Sequence, residues 1–375
     1  MSTRRRSVVL LGAIASCGAW TPVQESWSCG ASVRRRPSFR LSIASSPDEQ
    51  IAPQQDERRR SLRYEKELRD AYRRCGEITK IFSKTFYFGT TFFSEAKKTA
   101  VWAIYVWCRR TDDIVDSPLA TMLGAERMAE DLEKWEARLD KIWQGEPTDS
   151  LDLALADAKR RYPELNIVPY KDMIKGMLMD TPGHEFYQSR YNTWEDLEVY
   201  CYRVAGTVGL MTLPVLGTSN GYTLEEAREP ALALGIAFQI TNILRDVGED
   251  ALRGRIYLPL DDLHKFGVSE QQIFDGIVDQ NYVNLLNYEI ERAKHYYEKA
   301  RTGIPMLAPE ARLAVASSLR VYKAILDKIV ENEYDNFRKR AYVSKIDKFL
   351  MLPAAYLDIL AESDRPAGES RHEHY

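Results

Sequence analysis

Two aspartate pairs with i,i+4 spacing constrain this chain more than any other feature. Asp112 and Asp116 close the run AVWAIYVWCRRTDDIVD, and Asp246 and Asp250 close LALGIAFQITNILRDVGED. Both runs are apolar with helical spacing, which predicts buried helices. On a helix, two like charges at this spacing cost about 0.2–0.5 kcal/mol, and the C-terminal end of the helix dipole also disfavours anions. A bound divalent cation would remove both penalties.

The second run carries further metal-binding groups on the same helix face. Asn242, Asp246 and Asp250 follow one another at i,i+4 steps, and Arg245 flanks this stripe. Carboxylate and amide oxygens are hard ligands that suit Mg²⁺, which also keeps waters and the phosphate oxygens of a substrate. The stripe therefore predicts a site for Mg²⁺ or Mn²⁺ that uses Asn242, Asp246 and Asp250.

The first run repeats this arrangement with Arg109, Asp112 and Asp116. Asp113 points about 100° away from that face at 3.6 residues per turn, so we rank it second. Two such faces that meet across a helical bundle would bind a diphosphate through arginines and bridging magnesium ions. They would also stabilise the negative charge that develops on the diphosphate as it leaves.

The fragment left behind by such a step is a carbocation, which requires a dry site and electron-rich rings. Aromatic rings near a cation contribute about 0.5–2 kcal/mol each. Trp102, Tyr105 and Trp107 precede the first aspartate pair, and Phe238 precedes the second. Ordinary core packing explains any single one of these rings equally well.

The segment YCYRVAGTVGLMTLPVLG lies between the two aspartate pairs. It combines Tyr200 and Tyr202 with the small residues Ala205, Gly206 and Gly209. We expect the missing side-chain volume at the small residues to leave a channel for a long apolar tail.

The spacing of helix breakers predicts an all-α fold. Breakers such as Gly145-Glu146-Pro147 and Thr181-Pro182-Gly183 separate segments with i,i+3,i+4 apolar spacing, and period-two alternation is scarce. We predict a targeting leader over residues 1–56, a single all-α domain over residues 57–362 and a disordered polar tail over residues 363–375. No run after the leader has the uninterrupted apolar length of a transmembrane anchor.

The first residues have the composition of a targeting sequence. Residues 1–47 contain seven Arg and one acidic residue, for a net charge of +6, whereas residues 48–375 carry −9. A short apolar stretch is followed by an Arg- and Ser-rich segment without acidic residues, which is typical of a signal peptide joined to a transit peptide. This order resembles the leaders of algae with complex plastids. It predicts a plastid stroma or peripheral plastid membrane location; the alternative is a disordered tail.

Charge and metal-ligand spacing exclude other classes of function. The acidic body argues against nucleic acid as a partner, because phosphate backbones attract basic surfaces. Neither the five Cys nor the five His residues have the spacing of a disulfide framework or a transition-metal site.

Four segments in series resemble the squalene and phytoene synthase family. They are FSKTFYF at residues 82–88, YVWCRRTDDIVD at residues 105–116, YCYRVAGTVG at residues 200–209 and QITNILRDVGEDALRGRIYLP at residues 239–259. The likeness is strongest to the phytoene synthase branch. It implies an isoprenoid-synthase-type helical bundle around a central apolar cavity. It also implies head-to-head coupling of two geranylgeranyl diphosphates, through prephytoene diphosphate, to phytoene in carotenoid biosynthesis.

The resemblance also assigns roles to individual residues. It implies metal and diphosphate binding by Asp112, Asp116, Asp246 and Asp250, with help from Asn242, Arg109 and Arg245. Substrate-lining positions by the same resemblance are Ser83, Phe86, Tyr105, Tyr200, Gln239 and Tyr322. The first motif reads Asp-Ile-Val where many plant relatives read Glu-Leu-Val. We expect no change in chemistry, since these positions lie off the metal-binding face.

Two other functions remain open. Coupling of the shorter farnesyl diphosphate to squalene or dehydrosqualene uses similar motifs, but squalene synthases add an NADPH-dependent step that we do not expect here. A non-catalytic assembly factor or lipid-binding scaffold would keep the fold with eroded aspartate motifs, whereas this chain has all four aspartates and both arginines. The partners we expect are the diphosphate substrate, a plastid membrane and other isoprenoid or carotenoid enzymes.

Overall fold

The computed structural model describes residues 51–117, 122 and 124–363. Over these ranges the chain is helical and forms no β-strand, and one isolated bridge joins Thr218 to Leu307. The predicted all-α class is confirmed. Residues 1–50 of the predicted leader and residues 364–375 of the predicted tail lie outside the described residues. The leader boundary at residue 56 and the other domain limits stay predictions.

The helices pack into one bundle with a shared hydrophobic core. A π-helical turn spans Tyr202–Gly206, and short 3₁₀ turns span Thr90–Phe92 and Ile304–Met306. The helices are α1 (Ile51–Phe82), α2 (Lys84–Gly89), α3 (Glu95–Asp116), α4 (Ala125–Trp143), α5 (Ser150–Arg161), α6 (Val168–Met179), α7 (Trp194–Cys201), α8 (Thr207–Leu216), α9 (Arg228–Ala251), α10 (Leu260–Lys265), α11 (Glu270–Phe274), α12 (Gln280–Arg301), α13 (Pro309–Glu331) and α14 (Lys345–Ser363).

Helix α9 is the central element of the bundle. Every residue from Gly235 to Gly248 is buried, and α9 packs against α8, α12, α13 and the π-helical turn. A helix surrounded by protein is normally apolar on all sides. Instead, α9 buries Gln239, Asn242 and Arg245 next to Asp246, so this part of the core has a role other than packing.

Helices α3 and α9 run in the same direction, because each is antiparallel to α8. Near the start of α3, Lys97 Nζ donates to the Leu216 carbonyl oxygen at the end of α8 (2.6 Å), and further along, Cys108 Sγ lies 3.7 Å from Met211 Sδ. Where α8 meets α9, Ala205 just before α8 lies against Gly235, and Gly209 lies against Ala231, four residues earlier in α9. Since α3 and α9 both end in an aspartate pair, the two pairs lie at the same end of the bundle.

The segment Trp194–Leu216 joins α7, the π-helical turn and α8, and it is long and apolar enough to cross a membrane. Its most apolar window is 78% buried inside the protein, which is typical of a core helix. The π-helical turn interrupts it at Tyr202–Gly206. Such turns inside helices are frequent at functional sites.

A buried carboxyl group on α12 makes the stability of the fold pH-dependent. Glu289 is 1% exposed, and its Oε2 accepts a hydrogen bond from Arg292 Nη1 (2.5 Å), which also donates to Asp262 (2.9 Å). Burial raises the pKa of Glu289 to about 7, although Arg292 opposes the shift. The folded state therefore binds this proton more tightly than the unfolded state does. The resulting stabilisation is complete below the unfolded pKa near 4.5 and is lost as the pH rises through about 7.

We expect Glu289→Gln to raise the free energy of unfolding relative to the wild type increasingly between pH 5 and pH 8. A shift of this size corresponds to an effect of about 3 kcal/mol, to be measured by urea unfolding at both pH values. Glu291→Gln, at an exposed position on the same helix, is the matched control. A Glu289→Gln effect that is the same at both pH values would contradict the assignment.

Candidate active site

An apolar cleft lies between α2, α3, α8, α9 and α13. It contains about 870 Å³ of space outside the protein atoms, part of it open to solvent, and its lining is mostly apolar. Phe86 and Gly209 of the predicted site line this cleft, together with Val101 of α3 and Phe238 of α9. The predicted central apolar cavity is therefore present.

The aromatic residues before the aspartate pairs divide into two groups. Phe238 lines the cleft, and Tyr105 is connected to it by stacking on Phe86, with ring centroids 5.5 Å apart. Trp102 instead stacks on Tyr87 (5.2 Å) and donates to Thr90, and Trp107 packs between other core aromatic rings. Both tryptophans therefore pack in the core and do not face the cleft.

The small residues of the third motif serve close helix packing more than they widen a channel. A Cβ at Gly209 would lie 2.4 Å from the Ala231 carbonyl oxygen. Likewise, Ala205 is buried with its carbonyl oxygen against Gly235, where a Cβ would lie 2.5 Å from it. Gly209 still borders the cleft, whereas Ala205 packs behind it, so a direct substrate contact of Ala205 stays a prediction.

The first aspartate pair lies on α3, about three to four turns beyond Val101, which lines the cleft. Asp112 is buried, Asp116 is the last residue of the helix, and Arg109 Nη1 lies 3.7 Å from Asp112 Oδ2. Arg109 Nε also donates to Asp113 (3.2 Å). Burial alone would lower the pKa of Arg109, but the neighbouring Asp112 and Asp113 carboxylates outweigh it and raise the pKa. Arg109 is therefore a permanent buried cation at this end of the cleft.

Ser83 and Phe82 connect the start of α2 to the first aspartate pair. The guanidinium of Arg109 lies over the Phe82 ring, 4.7 Å from its centroid. Ser83 is fully buried at the break between α1 and α2, where its backbone is not helical. Ser83 is thus next in the chain to a residue that contacts Arg109, and its substrate-lining role stays a prediction. The contact made by Phe82 was not foreseen.

The second aspartate pair lies on α9, and Asp246 is held by two arginines. Arg245 makes a bidentate contact to the Asp246 carboxylate, with distances of 2.8 and 2.6 Å. Arg340, which precedes α14, lies 3.0 Å from Asp246 Oδ1. Burial alone would lower the pKa of Arg245, but Asp246 outweighs it and raises the pKa. Sequence reasoning missed Arg340, because nothing in the segment RKRAY separates it from its basic neighbours.

Two buried amide groups in this region carry atoms without a hydrogen-bond partner among the described residues. These atoms are Gln239 Oε1 and Asn242 Nδ2. The Asn242 Oδ1 atom accepts only a long hydrogen bond from Tyr322 OH (3.5 Å). Nearly all buried polar groups in proteins are paired, so these amides indicate that a polar ligand completes the site. Tyr322 also packs on Phe238, with ring centroids 4.3 Å apart, and so joins the cleft to its polar end.

The donor set fits a divalent cation that is held together with a phosphate-bearing substrate. Asp112, Asp116, Asp246, Asp250 and Asn242 offer the oxygen ligands that Mg²⁺ uses with one or two carboxylates, waters and phosphates. No group of three His, Cys, Asp or Glu side chains in the described part of the chain is arranged to hold a metal alone. A diphosphate would have to supply the remaining ligands of the metal ion. Metal binding by these residues stays a prediction.

Tyr200 belongs to a hydrogen-bond network next to the second pair. Its hydroxyl donates to Asp180 Oδ2 (2.9 Å), and Tyr257 OH donates to Asp180 Oδ1 (3.0 Å). Arg255 completes the network through the Asp180 carboxylate, and the Arg255 backbone N–H donates to the Asp250 carbonyl oxygen (3.0 Å). Tyr200 is thus linked to the second motif through Asp180 and Arg255, and its catalytic role stays a prediction. Arg255 and Tyr257 lie in the fourth segment quoted above, but the sequence assigned them no role, and Asp180 carried no signal.

Known proteins with similar sequences indicate one family. The family model described as squalene/phytoene synthase matches residues 79–347. The chain is 49% identical to the 15-cis-phytoene synthase of Synechococcus elongatus over 298 residues, 77% of this chain and 94% of that protein. It is also 49% identical to the chloroplastic phytoene synthase 1 of Zea mays, over 77% of this chain and 68% of that protein.

Solved structures give the same result for the fold. A dehydrosqualene synthase crystal structure is similar with a TM-score of 0.68 and 31% identity, covering 79% of this chain and 99% of that one. The squalene synthase HpnC from Alicyclobacillus acidocaldarius is similar with a TM-score of 0.64 and 25% identity, covering 72% of this chain and 96% of that one. The chain belongs to the squalene/phytoene synthase family.

Proposed function

We propose that this protein is a prenyltransferase of the phytoene synthase type, which couples two geranylgeranyl diphosphates to phytoene in carotenoid biosynthesis. The observation that carries the proposal is an apolar cleft whose two wall helices, α3 and α9, both end in aspartate pairs at the same end of the bundle. The high identity to proteins named phytoene synthase supports it. The amphiphilic shape of the site matches a substrate with an apolar tail and a diphosphate head.

The buried arginines supply the charge for the first step, in which the allylic C–O bond breaks and diphosphate leaves. Arg109 and Arg245 are buried beside the two aspartate pairs, and the partly exposed Arg340 adds a third cation at Asp246. Fixed cations in a dry site are worth far more than in water. A divalent metal, when bound, would add stabilisation of the departing diphosphate. The orphaned Asn242 Nδ2 is a further donor for a phosphate oxygen.

The aromatic lining of the cleft would stabilise the cationic fragment. Phe86 and Phe238 line it, with Tyr105 stacked on Phe86 and Tyr322 on Phe238. Such rings stabilise a nearby cation by about 0.5–2 kcal/mol each and exclude water that would otherwise capture it. Attack by the double bond of the second substrate would form the new C–C bond, and loss of one proton would then close the cyclopropane ring. The resulting prephytoene diphosphate would ionise in turn, rearrange and lose a proton to give phytoene.

Product analysis tests the proposal directly. The purified protein is incubated with geranylgeranyl diphosphate or with farnesyl diphosphate, with Mg²⁺ present and NADPH absent. We expect phytoene from the longer substrate and little turnover of the shorter one. Turnover of farnesyl diphosphate alone would favour squalene or dehydrosqualene synthesis, and a protein that converts neither would favour the non-catalytic scaffold.

We also propose a plastid location, supported by the composition of residues 1–47 and by the chloroplastic relatives from Zea mays and Arabidopsis thaliana. A fluorescent protein fused behind residues 1–56 should enter the plastids of an alga with complex plastids. Retention of the fusion in the cytosol would contradict this. Peripheral association with a plastid membrane is part of the same proposal, because an apolar product has to leave into lipid.

A further inference from the structure

Helix α14 is apolar on two opposite faces, and among the described residues only one of these faces is packed against the rest of the chain. Met351, Ala355 and Ile359 face the body of the bundle, where Ala355 is fully buried and the other two contact the hydrophobic core. The helix lies along α13 and is tied to it by an ion pair between Arg320 and Asp358 (2.5 Å). A helix with a second apolar face would normally be buried on that side as well.

The second face, which we name the outer face, consists of Ile346, Phe349, Leu350, Leu357 and Leu360. Their exposed fractions are 72%, 71%, 65%, 63% and 45%. At 3.6 residues per turn these side chains fall within an arc about 100° wide, opposite to Ala355. The arc contains no charged residue. An exposed apolar surface of this regularity marks an interaction site.

The charges around the outer face match an anionic lipid surface. From Arg338 to Lys348 the sequence contains five basic residues and one acidic residue. Arg340 is held by Asp246 in the candidate site, so the other four basic residues and Asp347 leave a net charge of +3 at the start of α14. Arg338 and Lys339 are exposed there, and Tyr342 is 59% exposed between them and the helix. An apolar helix face beside basic residues and an aromatic residue is typical of helices that lie in the membrane interface.

The outer face is also close to the wall of the cleft. Helix α13, on which α14 packs, lines the cleft with Ala314, Val315 and Ser318. On the opposite side of the cleft, Gly89 faces Ala314, and the neighbouring Phe88 and Phe92 are about half exposed. The helix that carries the outer face therefore packs on a helix that lines the cleft.

We propose that the outer face of α14 docks on a lipid bilayer that contains anionic lipids. The inference rests on the proposed function in one respect, because an apolar isoprenoid product gives a reason for a bilayer beside the cleft. Docking places helix α14 in the plane of the membrane interface. It also places the cleft next to the hydrocarbon interior of the bilayer. A second copy of the chain or another segment of the same chain is the competing occupant of this face.

Vesicle flotation of the full chain tests the proposal, with the double variant Phe349→Glu/Leu350→Glu. The vesicles contain phosphatidylcholine either alone or mixed with phosphatidylglycerol. We expect the wild type to float with the mixed vesicles and more weakly with phosphatidylcholine alone. Loss of two large apolar contacts should lower the partition coefficient of the double variant at least about 30-fold. Val168→Glu, an exposed apolar position on α6, should float like the wild type.

Light scattering and activity in detergent separate the possible outcomes. The double variant should have the mass of the wild type and form product from geranylgeranyl diphosphate in detergent at the wild-type rate. Flotation of the double variant like the wild type, or no flotation of the wild type, overturns the docking proposal. A wild-type dimer that the double variant converts to monomer also overturns it, in favour of a second copy. A wild type that floats but forms no product in detergent leaves docking supported and contradicts the proposed function.

Discussion

Asp112→Asn is expected to lower kcat about a hundredfold to a thousandfold, the range found when one charge-stabilising group is removed from an active site. Asp112 is buried on the predicted metal-binding face of α3, about three turns beyond Val101 of the cleft lining. The substitution keeps the shape of the side chain but removes its charge. We expect the melting temperature to change little, since Arg109 keeps its hydrogen bonds to Asp113. Steady-state product formation and thermal unfolding provide the two measurements.

Asp113→Asn is the matched control for this prediction. Asp113 is the next residue on the same helix, its side chain is 37% exposed, and it contacts the same arginine. Its loss removes one partner of Arg109 but no charge from the predicted metal-binding face, so kcat should fall by about tenfold or less. If Asp113→Asn lowered kcat as much as Asp112→Asn, catalysis would depend on the carboxylates that pair with Arg109. The predicted metal-binding face would then be wrong.

Much of the site could be predicted because its parts are local in sequence. The i,i+4 spacing of Asp246 and Asp250 and the apolar run before them determine a helix with one polar end. The structure has this helix as α9, buried from Gly235 to Gly248. The same reasoning gave α3 and its aspartates. Periodicity alone can thus identify which side chains share a face.

The contacts that could not be predicted connect residues far apart in the chain. Arg340 reaches Asp246 across 94 positions, and Tyr200 is oriented by Asp180 together with Arg255. No periodic pattern relates these residues, because their proximity depends on how the helices pack. The aromatic positions show the same limit. Trp107 and Phe238 both precede an aspartate pair, but only the rotation of each helix in the bundle decides that Phe238 faces the cleft.

Ala314→Phe is expected to change the preferred tail length of the substrate. Ala314 lines the cleft and lies eight residues before Tyr322 on α13, a distance of about 12 Å along the helix. Since Tyr322 marks the polar end, a phenyl ring at position 314 occupies space that only the far end of a long tail would reach. Excluding one isoprene unit should lower kcat/KM for geranylgeranyl diphosphate relative to farnesyl diphosphate about a hundredfold.

Ala314→Ser is the control for this change, because it adds a hydroxyl group with little volume at the same position. It should keep the wild-type preference between the two diphosphates. Both substrates are compared by kcat/KM with the same preparation of each variant, so that differences in folded fraction cancel in the ratio. An Ala314→Phe variant that loses both activities equally would place the tail elsewhere in the bundle. The ratio therefore tests the orientation of the substrate, with its diphosphate at the aspartate pairs and its tail toward α2 and the start of α13.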